Sequence, residues 1–148
     1  MLGMPERLMQ VDEVTDVLEV REALERTAAA RVTALRRDPG VIAAELREPL
    51  DRQAAAMAAG DMATFMVAGV DFHFHVVALS GNPIAERLFG PLRDHQLRLA
   101  RLVLTVADLE PADSFAEHLE LGDRLREHDF AGYSRVLDRH LARHQGLL

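Results

Sequence analysis

The chain has no cysteine among its 148 residues. Disulfides and thiolate-held zinc are therefore excluded, and a cytoplasmic setting is expected. Tryptophan is also absent, tyrosine occurs once, and aromatic residues make up only 5% of the chain. Runs of β-branched residues are scarce, which argues against sheets. There is no basic excess either: the net charge is −7 and the pI about 5.4. A nucleic-acid-binding domain usually carries a basic stripe, so direct DNA contact by this segment is not expected. No apolar run is expected to approach the roughly 18 residues of a membrane span. The opening "MLGMPERLMQ" carries both charge signs and lacks the apolar centre of a signal peptide.

What is present points to helices. Hydrophobic residues make up 49% and charged residues 28%, an ordinary globular balance rich in Ala, Leu, Arg and Glu. The length favours a single domain over 1–148, with 1–12 as a flexible lead-in. A first helix is expected over roughly 13–37, where Val14, Val17, Leu18, Leu24 and Ala28 recur at helical spacing. "RDPG" stops it. A second helix follows, with a kink or break near Pro49 and a stop at Gly60. Asp61 would cap a third, over about 62–80. "SGNP" ends that helix, and a long fourth bends at Gly90-Pro91. Ser114 and Glu117 read as a capping box opening the next helix, and Asp129 as the cap of the last. The expected class is all-α, an antiparallel bundle of six or seven helices.

One stretch sits oddly in this scheme. "VDFHFHVVALSGN", residues 70–82, sets an Asp and two His in an apolar helix. Asp71 and His75 are four residues apart and share a face, while His73 points nearly opposite and reads as a bystander. A buried carboxylate is costly unless paired or bound to a metal. His118 and His140 lie on the last two helices, His140 flanked by Val136, Leu137 and Leu141. Imidazole and carboxylate together suit Zn, Ni, Mn or Fe(II). Asp71, His75, His118 and His140 are thus a candidate metal set. The alternative is that each His is a hydrogen-bonded core or boundary residue. His140 and His144 form a competing pair that spacing does not rank, and His95 and His128 read as surface residues.

These residues resemble a known family. "DFHFHVVALSGNP" is similar to the Asp-x-x-Phe-His…Gly-Asn-Pro signature of the FCD domain, the effector-binding domain of FadR-subfamily GntR transcription regulators. "VLEVREALE" resembles its opening Val-Arg-x-x-Leu-Glu pattern. "EHLELGDRLREHDFAGYSRVLDRHL" is similar to its closing pattern, with His118, Asp129 and His140 at equal intervals. The resemblance implies an FCD-like bundle with Asp71, His75, His118 and His140 at four metal-ligand positions. It also implies a divalent ion (Zn, Ni or Mn), a small organic acid as effector and a homodimer. Arg93 and Arg21 fall where the family often has Arg, and either could fork onto a carboxylate. Asn82 falls on the Gly-Asn position and reads as an N-cap near the site. The family's winged helix-turn-helix has no counterpart in this chain, so DNA would be reached only through such a domain. The expected role is ligand sensing, not catalysis. The alternatives are a small metalloenzyme using the same Asp/His set, or a metal-free helical interaction module.

Overall fold

A computed structural model describes the backbone of residues 6–106 and 110–145, and the side chains of residues 13, 15–99 and 110–143. Six helices and no strand are found among the described residues. They are α1 (Glu6–Ala34), α2 (Pro39–Ala59), α3 (Met62–Leu79), α4 (Pro83–Val106), α5 (Pro111–Arg126) and α6 (Phe130–Gln145).

Most boundaries follow from capping chemistry. Asp61 Oδ1 accepts from the Thr64 N–H at 3.1 Å and opens α3. Asn82 Oδ1 accepts from Ile84 and Ala85 N–H at 3.1 and 3.3 Å, so it caps α4. Asp129 Oδ1 accepts from the Gly132 N–H at 2.8 Å and caps α6. Each bond satisfies a backbone donor that the helix itself cannot. Gly60 ends α2 in the left-handed conformation, φ 70°, which glycine adopts without a Cβ clash.

Other boundaries differ from expectation. α1 begins at Glu6, so the lead-in placed at 1–12 is helical from that residue on, while residues 1–5 lie outside the described residues. Pro49 lies inside α2 without ending it, because buried Ile42 and Leu46 before it and Gln53 and Ala56 after it pack on one face. Pro91 likewise lies inside α4. The capping box at Ser114 does not form. α5 starts at Pro111, and Ser114 and Glu117 are both buried within the helix. Proline at the first helical position is preorganised for that role.

α3 is the central helix, packed against α1, α2, α4 and α5. Phe72, Val76 and Leu79 join Leu18, Ile42, Leu46, Leu121, Tyr133 and Leu137 in the main core. On another side of α3, Val77 and Phe74 pack with Phe89 and Ala28. Burying each large apolar side chain contributes about 1.5–3 kcal/mol. This central position also corrects the reading that no run approaches a membrane span. Met62–Leu79 is long and apolar enough by composition, with a mean hydropathy of 1.5, because neighbouring helices surround it.

Candidate metal centre

α3, α5 and α6 each bring one histidine to the same buried point. His73, His118 and His140 each place a ring nitrogen within 4.8 Å of the others. All three are 2% exposed or less, so the point is buried. Ring centroids lie 4.8–5.2 Å apart. Phe72 stacks on His118 at 4.7 Å and fixes its plane.

Each imidazole turns its Nδ1 onto an acceptor from a neighbouring helix. His73 Nδ1 lies 2.6 Å from Glu25 Oε1 on α1. His118 Nδ1 lies 2.8 Å from Gln53 Oε1 on α2. His140 Nδ1 lies 3.0 Å from Glu117 Oε1 on α5. The Gln53 and Glu117 oxygens accept from Nδ1 of His118 and His140, and Arg21, which has no acceptor, donates to Nε2 of His73, so Nε2 is the lone-pair atom of each ring. The Nε2 atoms of His118 and His140 lie 3.3 Å apart. Two nitrogens bound at about 2.05 Å with a tetrahedral angle between them would stand about 3.3 Å apart. The residues present therefore fit a divalent ion, with the ligand-orienting carboxylates and amide such sites normally have.

The surrounding charges are paired. Glu25 is fully buried and takes Arg21 Nε at 3.2 Å on Oε1 and the Tyr133 hydroxyl at 2.9 Å on Oε2. Burial, reinforced by the Glu25 carboxylate, pushes the Tyr133 phenol well above its ordinary pKa. Glu117 Oε2 accepts from Arg139 at 3.2 Å and Arg143 at 3.1 Å. Arg21 is itself buried and sets Nη2 2.9 Å from His73 Nε2.

The sequence-derived set is thus only half assembled. His118 and His140 meet, but with His73, the presumed bystander. Asp71 lies between two arginines instead, Arg93 Nε at 2.6 Å and Arg52 Nη1 at 3.0 Å. Burial works to raise the Asp71 carboxyl, but the two guanidinium groups outweigh it and hold it below its ordinary value. His75 is partly exposed and pairs with Glu45 at 3.0 Å. The physical reason is the central position of α3. A helix apolar on nearly every side offers no single face for spacing to select. A carboxylate settles at the boundary, where arginines reach it, and this turns His73 two residues on toward the interior.

The other candidates divide. Arg21 reaches the centre. Arg93 is engaged with Asp71. Asn82 is the cap of α4. His128 Nε2 lies 2.7 Å from the Arg37 carbonyl oxygen, to which it donates. His144 lies outside the residues with described side chains. Glu25, Gln53 and Glu117 were missed. Gln53 had a legible signal, since it falls on the stripe Ile42, Leu46, Pro49, Gln53, Ala56, where every other member is apolar. Glu25 was the last residue of the Val-Arg-x-x-Leu-Glu pattern.

No curated protein matches the chain. The FCD domain family matches residues 16–143, which take in α2 to α5 whole and most of α1 and α6. The chain therefore belongs to the FCD domain family, the effector-binding domains of GntR-type transcription regulators.

Proposed function

We propose that this domain senses a small carboxylate through a divalent metal held by Nε2 of His73, His118 and His140. The observation that carries the reading is the set of three Nδ1 contacts, to Glu25, Gln53 and Glu117, around three ring nitrogens gathered at one buried point. Three neutral nitrogens suit Zn, Ni or Mn. When bound, the metal would act as a Lewis acid with positions open to an anionic oxygen. Arg21 is the buried cation beside that point and would take the second carboxylate oxygen. Arg93, engaged with Asp71, is not assigned to the effector.

The sensing role needs only binding. A ligand shifts a regulator by its different affinity for two conformations. The centre joins α3, α5 and α6 through its ligands and α1 and α2 through Glu25 and Gln53, so occupancy bears on five of the six helices. In this reading the domain works in the cytoplasm as a homodimer, and DNA is reached through a separate domain. Ile84 and Leu88, four residues apart on α4 and 59% and 57% exposed, are apolar surface that a second copy could cover.

Metal content by elemental analysis tests the centre. The wild-type chain should hold close to one divalent ion, lost in His73→Ala and His118→Ala and retained in His75→Ala. Retention in His73→Ala with loss in His75→Ala would instead restore the Asp71/His75 set. No metal in the wild type would overturn the reading.

A further inference from the structure

Resting on the three-histidine reading, we infer that metal at this centre and the hydrogen bond from Arg21 to His73 exclude one another, so that Arg21 is the group through which metal occupancy sets carboxylate affinity.

Arg21 Nη2 stands 2.9 Å from His73 Nε2, and a guanidinium can only donate, so the ring proton is on Nδ1, 2.6 Å from the Glu25 carboxylate. Nε2 then carries the only in-plane lone pair of the neutral ring. A guanidinium has donors and no acceptor, so at 2.9 Å Arg21 Nη2 donates to that lone pair. The same pair of electrons cannot also bind a metal. Arg21 must let go of His73 whenever His73 becomes a ligand.

Arg21 cannot withdraw far. Its Nε is held by Glu25 at 3.2 Å and its Nη1 by Gln96 Oε1 at 3.3 Å. The residue is only 4% exposed, so water does not readily replace a lost partner. Displacement therefore leaves a buried N–H that needs an acceptor, beside a second positive charge. An acceptor missing from a buried donor is costly. A carboxylate removes both difficulties, since it is anionic and has two acceptor oxygens. Without metal, Nη2 already has His73, and a carboxylate would have to compete for it. The two ligands therefore assemble in order, and linkage makes the coupling reciprocal.

The test uses Zn2+ and acetate as probes on the full chain, with acetate's own affinity for Zn2+ subtracted. In the wild type, acetate should tighten Zn2+ binding by about tenfold. Arg21→Gln should bind Zn2+ alone about tenfold more tightly than wild type and lose most of the acetate effect. Nitrogen NMR on the wild type covers the case in which that variant fails to fold. There, Zn2+ should shift the Arg21 guanidinium resonances together with His73 Nε2. Zn2+ binding that leaves the Arg21 resonances and the acetate affinity unchanged would overturn this inference and spare the centre. No Zn2+ binding at all would remove both.

Discussion

Glu117 Oε1 stands 3.0 Å from His140 Nδ1 while Oε2 of the same carboxylate receives Arg139 and Arg143. A residue whose spacing suggested helix capping thus links the buried centre to the arginines of α6. If the carboxylate orients the ring and raises its basicity, removing its charge should weaken metal binding. Glu117→Gln is expected to lower affinity for Zn2+ by about tenfold to a hundredfold. Competition with a chromophoric chelator measures this. Unchanged affinity would reduce Glu117 to a packing residue.

Gly69 lies one turn before His73. A Cβ there would meet Gln53 Nε2 at 3.0 Å and His118 Cε1 at 3.3 Å. Gly69→Ala gains about 0.5–1 kcal/mol of helix preference, which the crowding offsets. Its melting temperature should stay within about 4 °C of wild type. The amide that holds His118 must shift, so Zn2+ affinity should drop by about tenfold. A large loss of stability with intact affinity would show that the contact is structural only.

Tyr133 is the only tyrosine, and the chain has no tryptophan, so ultraviolet titration reports one phenol. Its folded pKa is raised, chiefly by burial and then by Glu25. The protonated phenol is the form the fold prefers. The stability it contributes is full below the unfolded value of about 10 and is lost as pH rises through the folded value. The phenolate band should therefore appear only with alkaline unfolding seen by circular dichroism. A reversible phenolate in folded protein near pH 10 would contradict the packing around Glu25.

Asp71 should matter for stability rather than for metal. It is nearly buried between Arg93 and Arg52, whose own side chains are about one-third exposed. Solvent screening discounts such pairs, so Asp71→Asn should cost about 1 kcal/mol in urea unfolding of the metal-free protein. Metal content should be unchanged. Loss of metal in this variant would return Asp71 to the ligand set.

Local chemistry was legible in the sequence because it acts over a few residues. The caps Asp61, Asn82 and Asp129, the stop at Gly60 and the all-helical class follow from side chains bonding their own neighbouring backbone. The family motifs also singled out His118 and His140, which lie side by side in the structure. Proline was less decisive than its local chemistry suggests, since packing on both sides of Pro49 carries α2 through it.

The rotation of α3 was decided only by the tertiary structure. Its sequence is apolar nearly all round, so periodicity does not say which of His73 and His75 faces inward. The choice depends on partners far along the chain: Glu25 waits at one side for His73, while Arg93 and Arg52 wait at another for Asp71. A charge is cheapest where an opposite charge meets it. The bundle brings those opposite charges together, and spacing along one helix cannot.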